Sequence, residues 1–434
     1  MLRPESSEHS CPTHGDIAPI AIGPVRYEAL VQTSPAWQAT LSKHYPLAQK
    51  GLQARCLCAP FEGDLRRLTI RRYSDGVLGL ARFPDTGMEH SPRCRFHGES
   101  VASSGPSEYT SALKEIPGGI LVCIPLGLQI TEPAAASGCE RWIESGHAVR
   151  NGRMSLLGLL HLLWHQSALH TWWPRMRGKR HPGLVMHLLH RAADEILCNG
   201  RNLSGSLMLG LPPKIRTQAH ERQESIYWRA LDQRQRLLCV APLSRHSPQS
   251  EVRMREILTS PLYGAMPWLK LPDGLWDATI RRFPNAIAHW RSGGTVVFIA
   301  QIEPQTMHGA GSVSADVVGI SLLALSPQWI PVDSFHELAV CTALVDQDRV
   351  FVKPLRFDAQ EEAVLPDFVL RDTANPKGTP MEVWGRTDTD YKNRQKEKRN
   401  YYAKNYGAEN WWQWNAANNE PMPSFPPRSA MVAF

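Results

Sequence analysis

Two acids sit among residues that should exclude them. In VLPDFVLRDTANPKGTPMEVWG, residues 364–385, Asp367 and Glu382 each interrupt a short apolar run. An isolated buried carboxylate costs several kcal/mol even after its surroundings relax, so such acids take a partner or a metal. Two carboxylates brought together repel unless a cation lies between them. Mg²⁺ (or Mn²⁺) fits that role, because Mg²⁺ takes hard oxygen ligands and commonly uses one or two carboxylates plus a substrate phosphate. The chemistry expected of such a pair is metal-assisted hydrolysis of a phosphodiester.

A second set lies near the front: Cys56 and Cys58 in RCLCAPF, then His90, Cys94 and His97 in MEHSPRCRFHG. Zn²⁺ asks for four N or S ligands in a tetrahedron, and Cys56, Cys58, His90 and Cys94 supply them, with His97 as the substitute. Four protein ligands leave no open position, which makes the expected zinc structural. Ordinary buried thiols beside surface histidines are the alternative.

These residues need elements to place them. The Asn, Pro and Gly of RDTANPKGTP predict a hairpin connection between EAVLPDFVL and PMEVWG. Pairing those strands sets Asp367 and Glu382 side by side on one face. Upstream, DSFHELAVCTALV reads as a helix offering Glu337, which is equally the far end of a capping box begun by Ser334. RVFVKPLRF reads as a strand, and DYKNRQKEKRNYYAKNYG as a closing helix. On that helix Tyr391, Arg394, Lys398 and Tyr401 recur at i, i+3, i+7 and i+10, the face expected to turn toward the sheet. Lys392, Lys396 and Arg399 fall on another face, toward solvent or phosphate.

With P-D, then E-x-x, after a helix bearing Glu337, residues 330–405 resemble the PD-(D/E)XK nuclease superfamily. The resemblance implies a restriction-endonuclease-like α-β-β-β-α core, with the Asp and Glu binding a divalent metal and a Lys two residues after the Glu. Here that position is Trp384. The cation is therefore expected from the closing helix, as Lys398 with Arg394 as companion. The front half resembles an uncharacterised family carried on bacterial plasmids and integrative conjugative elements. That likeness implies a mobile-element setting, with other mobile-element proteins as partners, but no established activity.

The chain has 434 residues, 42% hydrophobic and 21% charged, too long for one ordinary core and ordinary for a globular protein. Lys and Arg exceed Asp and Glu, 48 against 41, a mild basic excess compatible with DNA as partner. No apolar run is long enough for a membrane span, and nine unevenly spaced cysteines argue against a disulfide scaffold. A reducing, bacterial cytoplasmic setting is the expectation.

The expected organisation is a loose leader over 1–25, a β-rich zinc-binding unit over 26–100, a mixed α/β middle domain over 145–328 and a nuclease-like domain over 330–434. Arg175, Arg177, Lys179 and Arg180, interleaved with tryptophans, form a loop able to track a phosphate backbone, as do Lys392 and Lys396. A solvated connection between helices is the alternative for that loop. His161 and His165 have metalloprotease spacing but lack the adjacent Glu, so they read as core histidines. The predicted function is a metal-dependent DNA nuclease. The rival is a non-catalytic nucleic-acid-binding or scaffolding protein of a conjugation or plasmid-maintenance system.

Overall fold

The computed structural model describes residues 16–48, 51–59, 66–74, 76–83, 86–91, 93–97, 113–116, 119–130, 153–211, 217–260, 267–305, 313–355, 364–407 and 409–429. The architecture is mixed α/β. The chain divides into two compact units, residues 1–107 with 114–120, and 108–113 with 121–434.

The first unit is built on a five-stranded antiparallel sheet. Its spatial order is Val25–Tyr27, Ile20–Ile22, Ala54–Cys56, Arg67–Arg72 and Leu78–Arg82. Alternation decides its faces: Ile20, Ile22, Ala54, Cys56, Leu68 and Ile70 are buried and pack with Trp37 and Leu41 of the helix Trp37–Ala48. Ile20–Ile22 falls inside the span read as leader, yet it pairs on both sides, because its apolar alternation is needed to close this core.

In the second unit the apolar runs SLMLGL and RLLCVAPL contain the strands Leu207–Leu209 and Leu237–Pro242, and TVVFIAQI begins the longer strand Thr295–Gln305. They join a six-stranded sheet whose longest pairing is the antiparallel hairpin of Thr295–Gln305 with Ser314–Leu325. The apolar stretch SLLGLLHLLWHQ forms the buried helix Leu156–Gln166, capped by Ser155, whose hydroxyl accepts the Gly158 amide. The next helix is shorter than its apolar pattern suggests. It spans Pro182–Ala193, and Ile196–Cys198 then turns through Asn199 and Gly200, both at positive φ, into Arg201–Asn202. Asn-Gly is the residue pair that a two-residue hairpin turn selects.

The last sheet orders Trp412–Trp414, Thr379–Val383, Phe368–Leu370, Phe351–Val352 and Thr171–Trp172. The middle three form an antiparallel meander, and Trp412–Trp414 runs parallel to Thr379–Val383. Thr171–Trp172 comes from the span read as the middle domain, and one apolar core runs from Met208 and Phe298 to Phe351, Phe368 and Met381. The core is thus continuous across the expected boundary near 328–330.

Candidate metal centre and acidic site

Cys56 ends a strand, Cys58 lies two residues on, and His90 follows the short helical turn Gly87–Glu89, four residues before Cys94. The Sγ atoms of Cys56 and Cys94 are 3.5 Å apart, and His90 Nδ1 lies 3.6 Å from Cys58 Sγ and 3.7 Å from Cys94 Sγ. All four donor atoms lie within 4.8 Å of one another. A tetrahedral zinc with the usual bond lengths has S···S edges of about 3.8 Å and S···N edges of about 3.6 Å, so the set fits the ion. Amides of Ser91 and Phe96 donate to Cys58 and Cys94, as they would to thiolates. The Cys56 thiol beside Cys94, assisted by His90 and the Phe96 amide, holds Cys94 down at about 4, and Cys56 is pushed up in return. His97 takes no ligand place: its Nδ1 donates to the His90 carbonyl at 2.9 Å. Cys123, by contrast, is disulfide-bonded, which departs from the reducing setting expected.

The acidic site grows from the hairpin. Its turn needs Gly378 at φ +81°, where a Cβ would stand 2.6 Å from Val369 Cγ1 and 2.8 Å from the Leu370 carbonyl. The register places Phe368 opposite Met381, and carrying it one pair further sets Asp367 opposite Glu382. The Asp367 amide donates to the Met381 carbonyl at 2.9 Å, and its Oδ2 accepts the Val383 amide at 2.7 Å.

Glu382 is only 1% exposed. Lys398 Nζ lies 2.9 Å from each of its carboxylate oxygens and from the Leu365 carbonyl, and the Tyr402 hydroxyl donates to Oε1 at 2.6 Å. Burial, then the charge of Asp367, pushes Glu382 up to about 7 against the opposing pull of Lys398 and Tyr402. Trp384 is buried, with its ring 6.0 Å from Lys398 Nζ and its Nε1 donating to Gln413.

The helix Thr389–Tyr406 is capped by Asp388, which accepts the Tyr391 amide at 3.0 Å. Its inward residues are Tyr391, Gln395, Lys398, Arg399 and Tyr402, while Arg394 and Tyr401 are exposed. The expected face was rotated by part of a turn: spacing of i+4 and i+11 from Tyr391, not i+3 and i+10, points at the sheet. Arg399, expected outward, lies 5.8 Å over the Trp384 ring, and Lys392 and Lys396 are exposed.

Glu337 sits in the first turn of the helix Phe335–Asp346, which Ser334 caps. The box closes differently from expectation. Glu337 Oε2 accepts the Asp333 amide at 3.0 Å, and Lys353 Nζ donates to it at 2.8 Å. Lys353 also lies 3.2 Å from Asp333 Oδ2 with its side chain 4% exposed. Burial pushes Glu337 up to about 8. Burial also opposes charge on Lys353, but Glu337, Asp333 and Asp367 outweigh it and raise its pKa. Asp367 acts on Glu337, Lys353, Glu382 and Tyr391 alike, so these groups form one electrostatic cluster.

Sequence reasoning missed Lys353 and Tyr402. Lys353 carried the same signal as Asp367, a charge after the apolar strand of RVFVKPLRF. Among the described residues the acids do not form a group of three ligand atoms of the kind seen at Cys56, Cys58, His90 and Cys94.

The basic loop is largely occupied by structural bonds. Arg180 donates to the carbonyls of Leu169, Thr171 and Gln328, and burial lowers it to about 10. Arg177 donates to the Val345 carbonyl and Asp348. Arg175 lies over Trp173, and Lys179 is exposed. His161 is buried, and His165 stacks on His170 at 4.6 Å.

The fold and site together define a mixed α/β protein with a Cys/His cluster able to hold a metal such as zinc. No helix among the described residues is long and apolar enough to cross a membrane. A family model described as Protein of unknown function (DUF1173) matches residues 26–417, and the chain belongs to that family. Neither a curated protein nor a solved structure matches it.

Proposed function

We propose that the protein is a metal-dependent nuclease that hydrolyses phosphodiester bonds in DNA. The observation that carries the reading is the placement of Asp367 opposite Glu382 on the hairpin, with Lys398 Nζ on both oxygens of Glu382. The order helix, three antiparallel strands, helix is also the order that the PD-(D/E)XK resemblance implies.

Asp367 and Glu382 would hold Mg²⁺ or Mn²⁺, which when bound would polarise the phosphoryl oxygen and acidify the attacking water. Lys398 would have to leave Glu382 to meet charge developing on the phosphate. Tyr402 fixes the Glu382 carboxylate, and Lys353 holds Glu337. Arg394, which is exposed, would contact DNA outside the cluster. The bacterial cytoplasm, DNA and other mobile-element proteins are the setting and partners this reading requires, and zinc at the front cluster is structural.

The second reading is a non-catalytic nucleic-acid-binding or scaffolding protein. It is favoured by one feature: both Glu382 oxygens already have partners in Lys398 and Tyr402. Incubation of the purified chain with single- and double-stranded DNA and Mg²⁺ or Mn²⁺ separates the two. Cleavage that disappears in Asp367→Ala supports the nuclease. A folded wild type that cuts neither substrate with either ion leaves the scaffold.

A further inference from the structure

Lys398 and Glu382 occupy each other fully. An ammonium carries three N–H donors, and those of Lys398 go to the two Glu382 oxygens and the Leu365 carbonyl, each 2.9 Å from Nζ. Oε1 also takes the Tyr402 hydroxyl at 2.6 Å, which fills both of its lone pairs. Three oxygens thus converge on one positive charge. A carboxylate and a backbone carbonyl are hard ligands of the kind that suit Mg²⁺ and Mn²⁺, so the ammonium stands in the place of a divalent cation.

The two cations exclude each other. A metal about 2.1 Å from either Glu382 oxygen would lie at most about 5 Å from Nζ, where charges of one sign repel strongly out of bulk water. The lysine faces the same choice, because with all three donors committed it reaches a phosphate only by giving Glu382 up. The Lys398 side chain is 19% exposed against 1% for Glu382, so the lysine has a way out and the carboxylate does not. The Trp384 ring, 6.0 Å from Nζ, and the helix Thr389–Tyr406 keep the ammonium close once it leaves. Asp367, opposite, holds the Val383 amide on Oδ2, and no hydrogen bond reaches its Oδ1 among the described residues. A buried ion pair is not by itself a device for stability, since well-packed apolar residues of the same volume often serve as well.

We propose that Lys398 is a tethered counter-ion that keeps Glu382 closed to divalent metal, so that entry of the metal and release of the lysine toward phosphate are one exchange. The contact is autoinhibitory: the side chain that serves the phosphate in one state blocks the metal in the other. The proposal rests on the hydrolysis reading of this site and concerns its regulation.

The test titrates the full chain with Mn²⁺, without DNA, and reads free Mn²⁺ by its paramagnetic resonance signal. The wild type should bind Mn²⁺ weakly. Lys398→Met should bind it at least about tenfold more tightly, the effect of removing one like charge beside the ion. Lys398→Arg, which keeps the charge, should bind as the wild type does, and adding Asp367→Ala to Lys398→Met should remove the tight site. Melting temperature establishes that the variants are folded. If Lys398→Met is not, acetylation of amines in the wild type, mapped by mass spectrometry, decides. Saturating Mn²⁺ should then raise acetylation of Lys398 several-fold and leave that of Lys396 unchanged. Equal Mn²⁺ affinity in the wild type and folded Lys398→Met, or Lys398 acetylation that Mn²⁺ does not move, overturns the exchange. If Asp367→Ala still abolishes Mn²⁺ binding in that case, the hydrolysis reading stands. Absence of Mn²⁺ binding in every form overturns both.

Discussion

Lys398 is where the acidic site is most exposed to test at the level of single residues. Its Nζ bridges both Glu382 oxygens and the Leu365 carbonyl, whereas Lys396, two residues earlier, is exposed. Lys398→Ala is expected to lower a cleavage rate by about 10²–10³, the loss typical of one preorganised charge stabiliser. Lys396→Ala should change only DNA affinity and its salt dependence. Single-turnover rates and binding isotherms for the two variants give the comparison, and equal behaviour would place the cation elsewhere. Protonation gives a second prediction. Folding raises Glu382 from an ordinary value of 4.5 to about 7, and Glu337 to about 8. A raised carboxylate favours the fold while protonated, so this contribution is full below about pH 4.5 and is lost as pH rises through 7 and 8. Melting temperatures of protein without added divalent ion should fall over that window, and Glu382→Gln should flatten the fall.

Elements decide whether those residues meet. The hairpin depends on Gly378, because only a residue without Cβ clears Val369 and the Leu370 carbonyl at positive φ. The Cys/His set depends on a strand end and a short helical turn brought together by the five-stranded sheet. Elemental analysis of protein purified without chelator should find about one zinc per chain. Replacing Cys56 and Cys58 together with Ser should abolish it and lower the melting temperature of the first unit. Zinc retained in that double variant would remove the assignment. The closing helix shows why periodicity alone misplaces a face: at 3.6 residues per turn, Arg394 and Gln395 lie on opposite flanks of Tyr391, and only packing against the sheet chooses between them.

At the scale of the second unit, the loop between the hairpin strands does more than turn. Asp372 is fully buried, accepts Nε and Nη2 of Arg349 at 2.8 Å each, and accepts the Val350 amide at 3.0 Å. Its carbonyl takes the Ser429 amide at 2.8 Å, fastening the segment after the last sheet strand. Asp372→Ala leaves Arg349 buried without its carboxylate and should cost about 3–5 kcal/mol, read from urea unfolding. Replacing Arg349 and Asp372 together with Met and Leu should recover much of that loss, because the penalty comes from the unpaired charge more than from the pair's absence.

Part of the local geometry was legible in the residues themselves. Acids inside apolar runs declared Asp367 and Glu382, turn residues declared the hairpin between them, and Cys-x-Cys with His-x-x-x-Cys declared the metal set. Those signals are local, carried by side-chain type and by spacings of a few residues. Tertiary structure decided what depends on distant partners. It chose His90 over His97, turned Tyr402 inward in place of Tyr401, and brought Lys353 to Glu337. It committed Arg177 and Arg180 to backbone carbonyls and ran one core across the boundary expected near 328–330. Each of these outcomes turns on which surfaces bury one another, and a chain written in one dimension carries no record of that until it folds.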